Sequence, residues 1–122
     1  MPPVLRVPPG TTDLAGTGFI GGLAIDRGGS RLYAVHVLGR AISLIDAGTR
    51  IVRRTAALPA EPYTTILSQD DRTVFVSLWG GARVLAPDAE TLAIRAEAPV
   101  GEHPNAMVLP KDGRRLFVAC AR

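Results

Sequence analysis

Cysteine occurs once in the chain, at Cys120, which excludes an intrachain disulfide and any cysteine-based metal cluster. Aromatic residues make up only 5%, so a core must be assembled from aliphatic side chains. No apolar run approaches the ~18 residues of a membrane-spanning helix, and the chain reads as soluble. The opening "MPPVLRVPPGTTD" has no basic segment leading into an apolar one, so no signal peptide is read there. Charged residues are sparse at 20%, yet 47% of the chain is hydrophobic, which is the composition of globular rather than disordered material.

A one-signed basic surface is also missing. The formal net charge is +3 at pH 7, but its distribution alternates. Between Ile20 and Glu61, Arg27, Arg31, Arg40, Arg50, Arg53 and Arg54 outnumber Asp26, Asp46 and Glu61. Between Pro62 and His103 the balance reverses, with Arg72, Arg83 and Arg95 facing Asp70, Asp71, Asp88, Glu90, Glu97 and Glu102. No aromatic residues are interleaved with the arginines, and nucleic acid is not an expected partner.

What the chain does have is a repeat. "GLAIDRGGSRLYAV" at Gly22, "TILSQDDRTVFVS" at Thr65 and "AMVLPKDGRRLFVA" at Ala106 hold one register at a spacing of 42 residues. Ile25, Leu67 and Leu109 share a column, as do Leu32, Val74 and Leu116, and Tyr33, Phe75 and Phe117. Further along, Asp46 falls on Asp88, Thr49 on Thr91 and Pro62 on Pro104. Each unit holds four short apolar runs separated by Asp- and Gly-rich turn chemistry. The stretch "TLAIRAEAPV" is rich in helix formers, but its partner "TRIVRRTAAL" carries β-branched residues between turns, and both read as strands.

A period of about 40–45 residues with four strands per unit is that of a β-propeller blade. The expected fold is therefore all-β, a β-propeller fragment of about two and a half four-stranded blades from a seven-bladed parent. Residues 1–19 read as the tail of a preceding blade and a long loop, 20–61 and 62–103 as blades, and 104–122 as the first two strands of a third. The remaining blades of the parent propeller are then expected partners.

At "GGSRLYAVHVLGRAISLIDAGTRIV" and "KDGRRLFVA" the chain resembles the YVTN-repeat, or YncE-like, β-propeller family. The resemblance runs from about Gly18 onward and implies the fold more than any activity. "LAGTGFIGGLAI", "VFVSLWGG" and "GEHPNAMVL" also resemble the propeller half of bacterial proteins that carry a C-terminal phosphoesterase of alkaline-phosphatase type. That likeness implies a periplasmic or extracytoplasmic parent. Where the family often has Asn after the second strand, this chain has His36, Leu78 and Cys120.

Catalytic chemistry is not legible. Cys120 ends an apolar strand and reads as a small hydrophobe rather than a nucleophile. His36 and His103 stand at non-equivalent repeat positions and do not form a metal-ligand pattern. "GTGFIGG" and "RGGS" lack the glycine spacing of a phosphate loop, and Asp70–Asp71 is a turn. No metal and no cofactor is expected. The expected function is non-catalytic binding or scaffolding of a ligand or partner domain; the alternative is part of a propeller-containing hydrolase, either the regulatory half of a phosphoesterase or a lactonase-like enzyme.

If binding is the function, strand direction says where. Consecutive strands alternate direction, so the loop after the second strand and the loop between units share one face. That places Trp79, His103, Asn105, Tyr63 and His36 together on one rim as the expected binding residues. The opposite face receives plain turns. Expressed alone, a chain of this kind leaves strand edges unpaired, and light scattering after size exclusion is expected to show self-association rather than a cleanly melting monomer.

Overall fold

Turn chemistry sets the strand boundaries. The computed structural model describes residues 20–121, and the expectations for residues 1–19 lie outside the described residues. All regular structure there is β. The first sheet contains β1 (Ile20–Ile25), β2 (Arg31–His36), β3 (Ala41–Asp46) and β4 (Ile51–Ala57). The second contains β5 (Pro62–Leu67), β6 (Val74–Leu78), β7 (Arg83–Pro87) and β8 (Ile94–Pro99). A hairpin of β9 (Pro104–Val108) and β10 (Phe117–Cys120) follows. Within each sheet, neighbours in sequence pair antiparallel. This is a succession of propeller blades, two of four strands and one of two.

Aspartate closes the tight turns. In the β1–β2 turn, Asp26 Oδ1 accepts the backbone N–H groups of Ser30 at 2.8 Å and Arg31 at 3.0 Å. Asp46 receives Thr49 N–H at 2.8 Å after β3, and its repeat partner Asp88 receives Thr91 N–H at 2.9 Å after β7. These backbone donors hold the Asp46 and Asp88 carboxyls below their ordinary pKa. The repeat extends to irregularities. Bulges fall at Leu44/Ile45 and Ala86/Pro87, and near the start of β1, β5 and β9. A bulge sharpens the local twist, so equal placement twists each blade alike.

Each loop after the second strand is closed by a backbone hydrogen bond. Arg40 N–H bonds Val37 C=O at 3.4 Å, and Gly81 N–H bonds Leu78 C=O at 3.0 Å. Arg40 and Ala82, equivalent in the repeat, both take left-handed backbone with φ of 49° and 50°.

The two blades meet across an apolar layer. Tyr33, Val35, Ile42 and Leu44 on the first and Val74, Val76, Leu78 and Leu85 on the second belong to one buried cluster, with Ala89 and Leu92 from the β7–β8 turn. Period-two alternation puts these side chains on one face of each strand. Inner strands approach closely: a Cβ at Gly22 would sit 3.0 Å from Thr64 Cα and 3.1 Å from Tyr63 O. A hydrogen bond crosses the layer, from Tyr33 Oη to Ala89 C=O at 2.7 Å.

Tyr33 shares its column with Phe75 and Phe117, so Tyr33→Phe keeps the ring and removes only the hydroxyl. Ala89 is 2% exposed, and its carbonyl loses that partner. The substitution is expected to destabilise the chain by about 1–2 kcal/mol in urea titration.

Candidate functional site

Four connections lie on one side of the sheets: residues 37–40, 58–61, 79–82 and 100–103. They are tied to one another by backbone hydrogen bonds. Leu58 N–H donates to Arg40 C=O at 2.7 Å, Val100 N–H to Ala82 C=O at 3.0 Å and Gly80 N–H to Glu61 C=O at 3.2 Å. The Arg40 guanidinium meets Glu61 at 3.0 Å. The Glu61 carboxyl is held below its usual pKa by its own backbone N–H and then by Arg40.

On this framework three rings form a row. Trp79 stands 5.4 Å from Tyr63 and 4.6 Å from His103, between ring centroids, with tilts of 33° and 44°. Tyr63 is 43% and Trp79 36% exposed. His103 reaches its place from left-handed backbone, φ 55°, a conformation that is uncommon outside glycine and needs support from its surroundings. Here the ring contact with Trp79 and the bond from Ala121 N–H to His103 C=O, 3.2 Å, give that support.

Hollows open on both sides of Trp79. One, of about 170 Å³, is lined by Gly21, Val37, Tyr63 and Trp79. The other, of about 440 Å³, is lined by Trp79, Gly80, Gly81, Ala82, Glu102 and His103. The first exists because the repeat is broken there. Gly21 occupies the column of Tyr63, and Val37 the column of Trp79. A Cβ at Gly21 would lie 2.6 Å from Val37 Cγ2 and 2.9 Å from Tyr63 O, so close packing holds this position to glycine.

The other expected rim residues behave differently. Asn105 turns its Oδ1 back to the N–H of Ala106, and its carbonyl accepts from Ser77 Oγ at 2.9 Å and from Thr64 Oγ1. It ties β9 to the second blade through its backbone. His36 was expected in the rim loop, and this needs correction. It is the last residue of β2, fully buried, with Nε2 2.8 Å from Ser43 Oγ, which in turn lies 2.9 Å from Thr55 Oγ1. The strand runs one residue further than the loop reading allowed, and alternation turns the ring into the protein. Cys120 does end β10, but it is only partly buried.

Sequence reasoning passed over Gly21, Val37, Glu61 and Glu102. The first two were detectable as columns where an aromatic in one unit faces Gly or Val in the other. The carboxylates carry no such signal, because surface acids are common. Among the described residues, no group of three or more His, Cys, Asp or Glu side chains is placed to hold a metal ion. No helix there is long and apolar enough to cross a membrane.

No family model matches the chain, and no curated protein does. Among solved structures, a chain of hydrazine synthase from Kuenenia stuttgartiensis matches with a TM-score of 0.80 over 97% of this chain, at 23% identity. The match spans 33% of that chain. At this identity the likeness shows the fold alone. Blades of this geometry are thus found as part of a much longer protein.

Burial holds the His36 imidazole below its ordinary pKa, favouring the neutral ring in the fold. The unfolded chain takes up that proton near pH 6.5, while the folded chain resists until lower pH. Stability is therefore expected to fall as pH drops below about 6.5, levelling once the folded imidazole is also protonated. His36→Leu, the residue of the equivalent Leu78, should flatten the pH 7 to pH 5 part of the melting profile relative to the parent chain.

Proposed function

We propose that the chain is a binding segment of a β-propeller and not a catalyst, with the row Tyr63–Trp79–His103 as its contact surface. One observation carries this reading: the rings stand where the repeat is broken. The core aromatic Tyr33 recurs in kind, as Phe75 and Phe117 in the following units. Tyr63 and Trp79 do not recur, and both keep a third or more of their surface open. An exposed tryptophan between two hollows offers apolar area that a ligand can cover.

As its setting we propose a seven-bladed propeller of the YVTN-repeat kind in a bacterial, extracytoplasmic parent. The turn-strand pattern "KDGRRLFVA" and the run "AISLID" support that setting.

Trp79 is the single tryptophan of the chain, so its indole N–H gives one assignable NMR signal. Titration with a panel of neutral, cationic and anionic small molecules is expected to move that signal saturably for at least one class. Hydrolysis of p-nitrophenyl phosphate and of a γ-lactone should stay at background. Turnover lost on substituting one of the chain's own residues, or an indole signal that nothing moves, would overturn the reading.

A further inference from the structure

Resting on the binding surface proposed above, the charge and shape around Trp79 specify the kind of ligand. Two carboxylates flank the rings, and they are not equivalent. Glu61 is neutralised by Arg40 at 3.0 Å. Glu102, exposed beside His103, has no hydrogen-bond or ion-pair partner among the described residues. Among the described residues, neither hollow is lined by an arginine or lysine. Arg83, which follows the Trp79 loop directly, is engaged with Glu97 at 2.9 Å. An anion would meet the Glu102 carboxylate in the larger hollow and the negative faces of aromatic rings in either. A cation would meet both favourably.

Shape narrows the choice further. The hollow between Gly21, Val37, Tyr63 and Trp79 is small, and its lining offers little beyond carbon and ring faces. A bare ammonium, strongly hydrated, would lose its water there without gaining hydrogen-bond acceptors. An ammonium sheathed in methyl groups keeps its charge, sheds water readily and presents apolar surface to the rings. We infer that this face takes a compact methylated or quaternary ammonium group. The Trp79 and Tyr63 rings supply the contact surface, and Glu102, which lines the hollow on the other side of Trp79, gives the face as a whole a negative bias without touching the bound group.

The test uses choline and its uncharged isostere 3,3-dimethyl-1-butanol on the whole chain, read by the indole N–H signal of Trp79. Choline is expected to shift the signal saturably, and the isostere to bind about tenfold more weakly. Glu102→Gln, an exposed substitution that leaves the fold unburdened, should weaken choline about twofold through loss of the long-range charge and leave the isostere unchanged. Equal binding of the two probes would overturn the inference while leaving a binding surface at Trp79. So would a Glu102→Gln variant with undiminished choline affinity. If choline fails but another member of the neutral or anionic panel moves the signal, the ammonium assignment falls and the surface stands. If nothing moves it, both fall.

Discussion

Tyr33 carries its hydroxyl across the boundary between the two four-stranded sheets to the Ala89 carbonyl, inside a layer of fully buried aliphatic side chains. The rest of the structure depends on that layer staying closed. With so few aromatic residues, close packing of Val, Leu and Ile must supply most of the stabilisation, and such packing tolerates no gaps. The contact of β1 with β5 shows how tightly the blades are drawn together, since Gly22 leaves no room for a side chain against the Thr64 backbone. Polar groups near the layer are few and most are partnered, while His36 Nδ1 and Thr65 Oγ1 are buried without a partner among the described residues. Ser77 and Thr64 satisfy the Asn105 carbonyl, and Ser43 bonds both His36 and Thr55.

Closing the layer fixes the loops. Once inner strands lie side by side, the connections between blades and the connections after second strands are brought to one edge. There they bond one another through backbone groups at equivalent positions of each unit. The scaffold is uniform, while the side chains it carries are not. Where the first blade has Gly21 and Val37, the second has Tyr63 and Trp79, and the mismatch leaves a hollow between blades. A repeat gives a regular surface, and a departure from it makes one place on that surface unlike the others. The proposed ammonium site occupies that place, and Glu102, in the hollow on the other side of Trp79, biases the face toward cations.

The opposite edge has another character. Its turns are closed by their own aspartates, and its ion pairs, such as Arg95 with Asp88 at 3.1 Å, are exposed. Exposed pairs of this kind contribute little to stability, and their carboxylates are already occupied by turn amides. Asp46 and Asp88 on that edge thus have local structural work, whereas Glu102 has no hydrogen-bond or ion-pair partner among the described residues.

The sequence alone determined the strand count, the turns and the repeat. Alternating Val, Leu and Ile can be buried by only one face of a strand, and Asp and Gly between them favour reversal; both are local properties. "LAIRAEAPV", with its helix formers, is strand β8 in part because β7 holds it in register, as the repeat implied. Strand direction alone also sufficed to bring Tyr63, Trp79 and His103 to one rim. What it could not decide was the fate of individual side chains there. His36 differs from a loop residue by a single step along β2, and one step turns a side chain to the other face. Asn105 acts through its carbonyl, which no side-chain pattern records. The hollow beside Trp79 depends on Gly21 and Val37 lying against residues more than twenty positions away, and only packed blades set that distance.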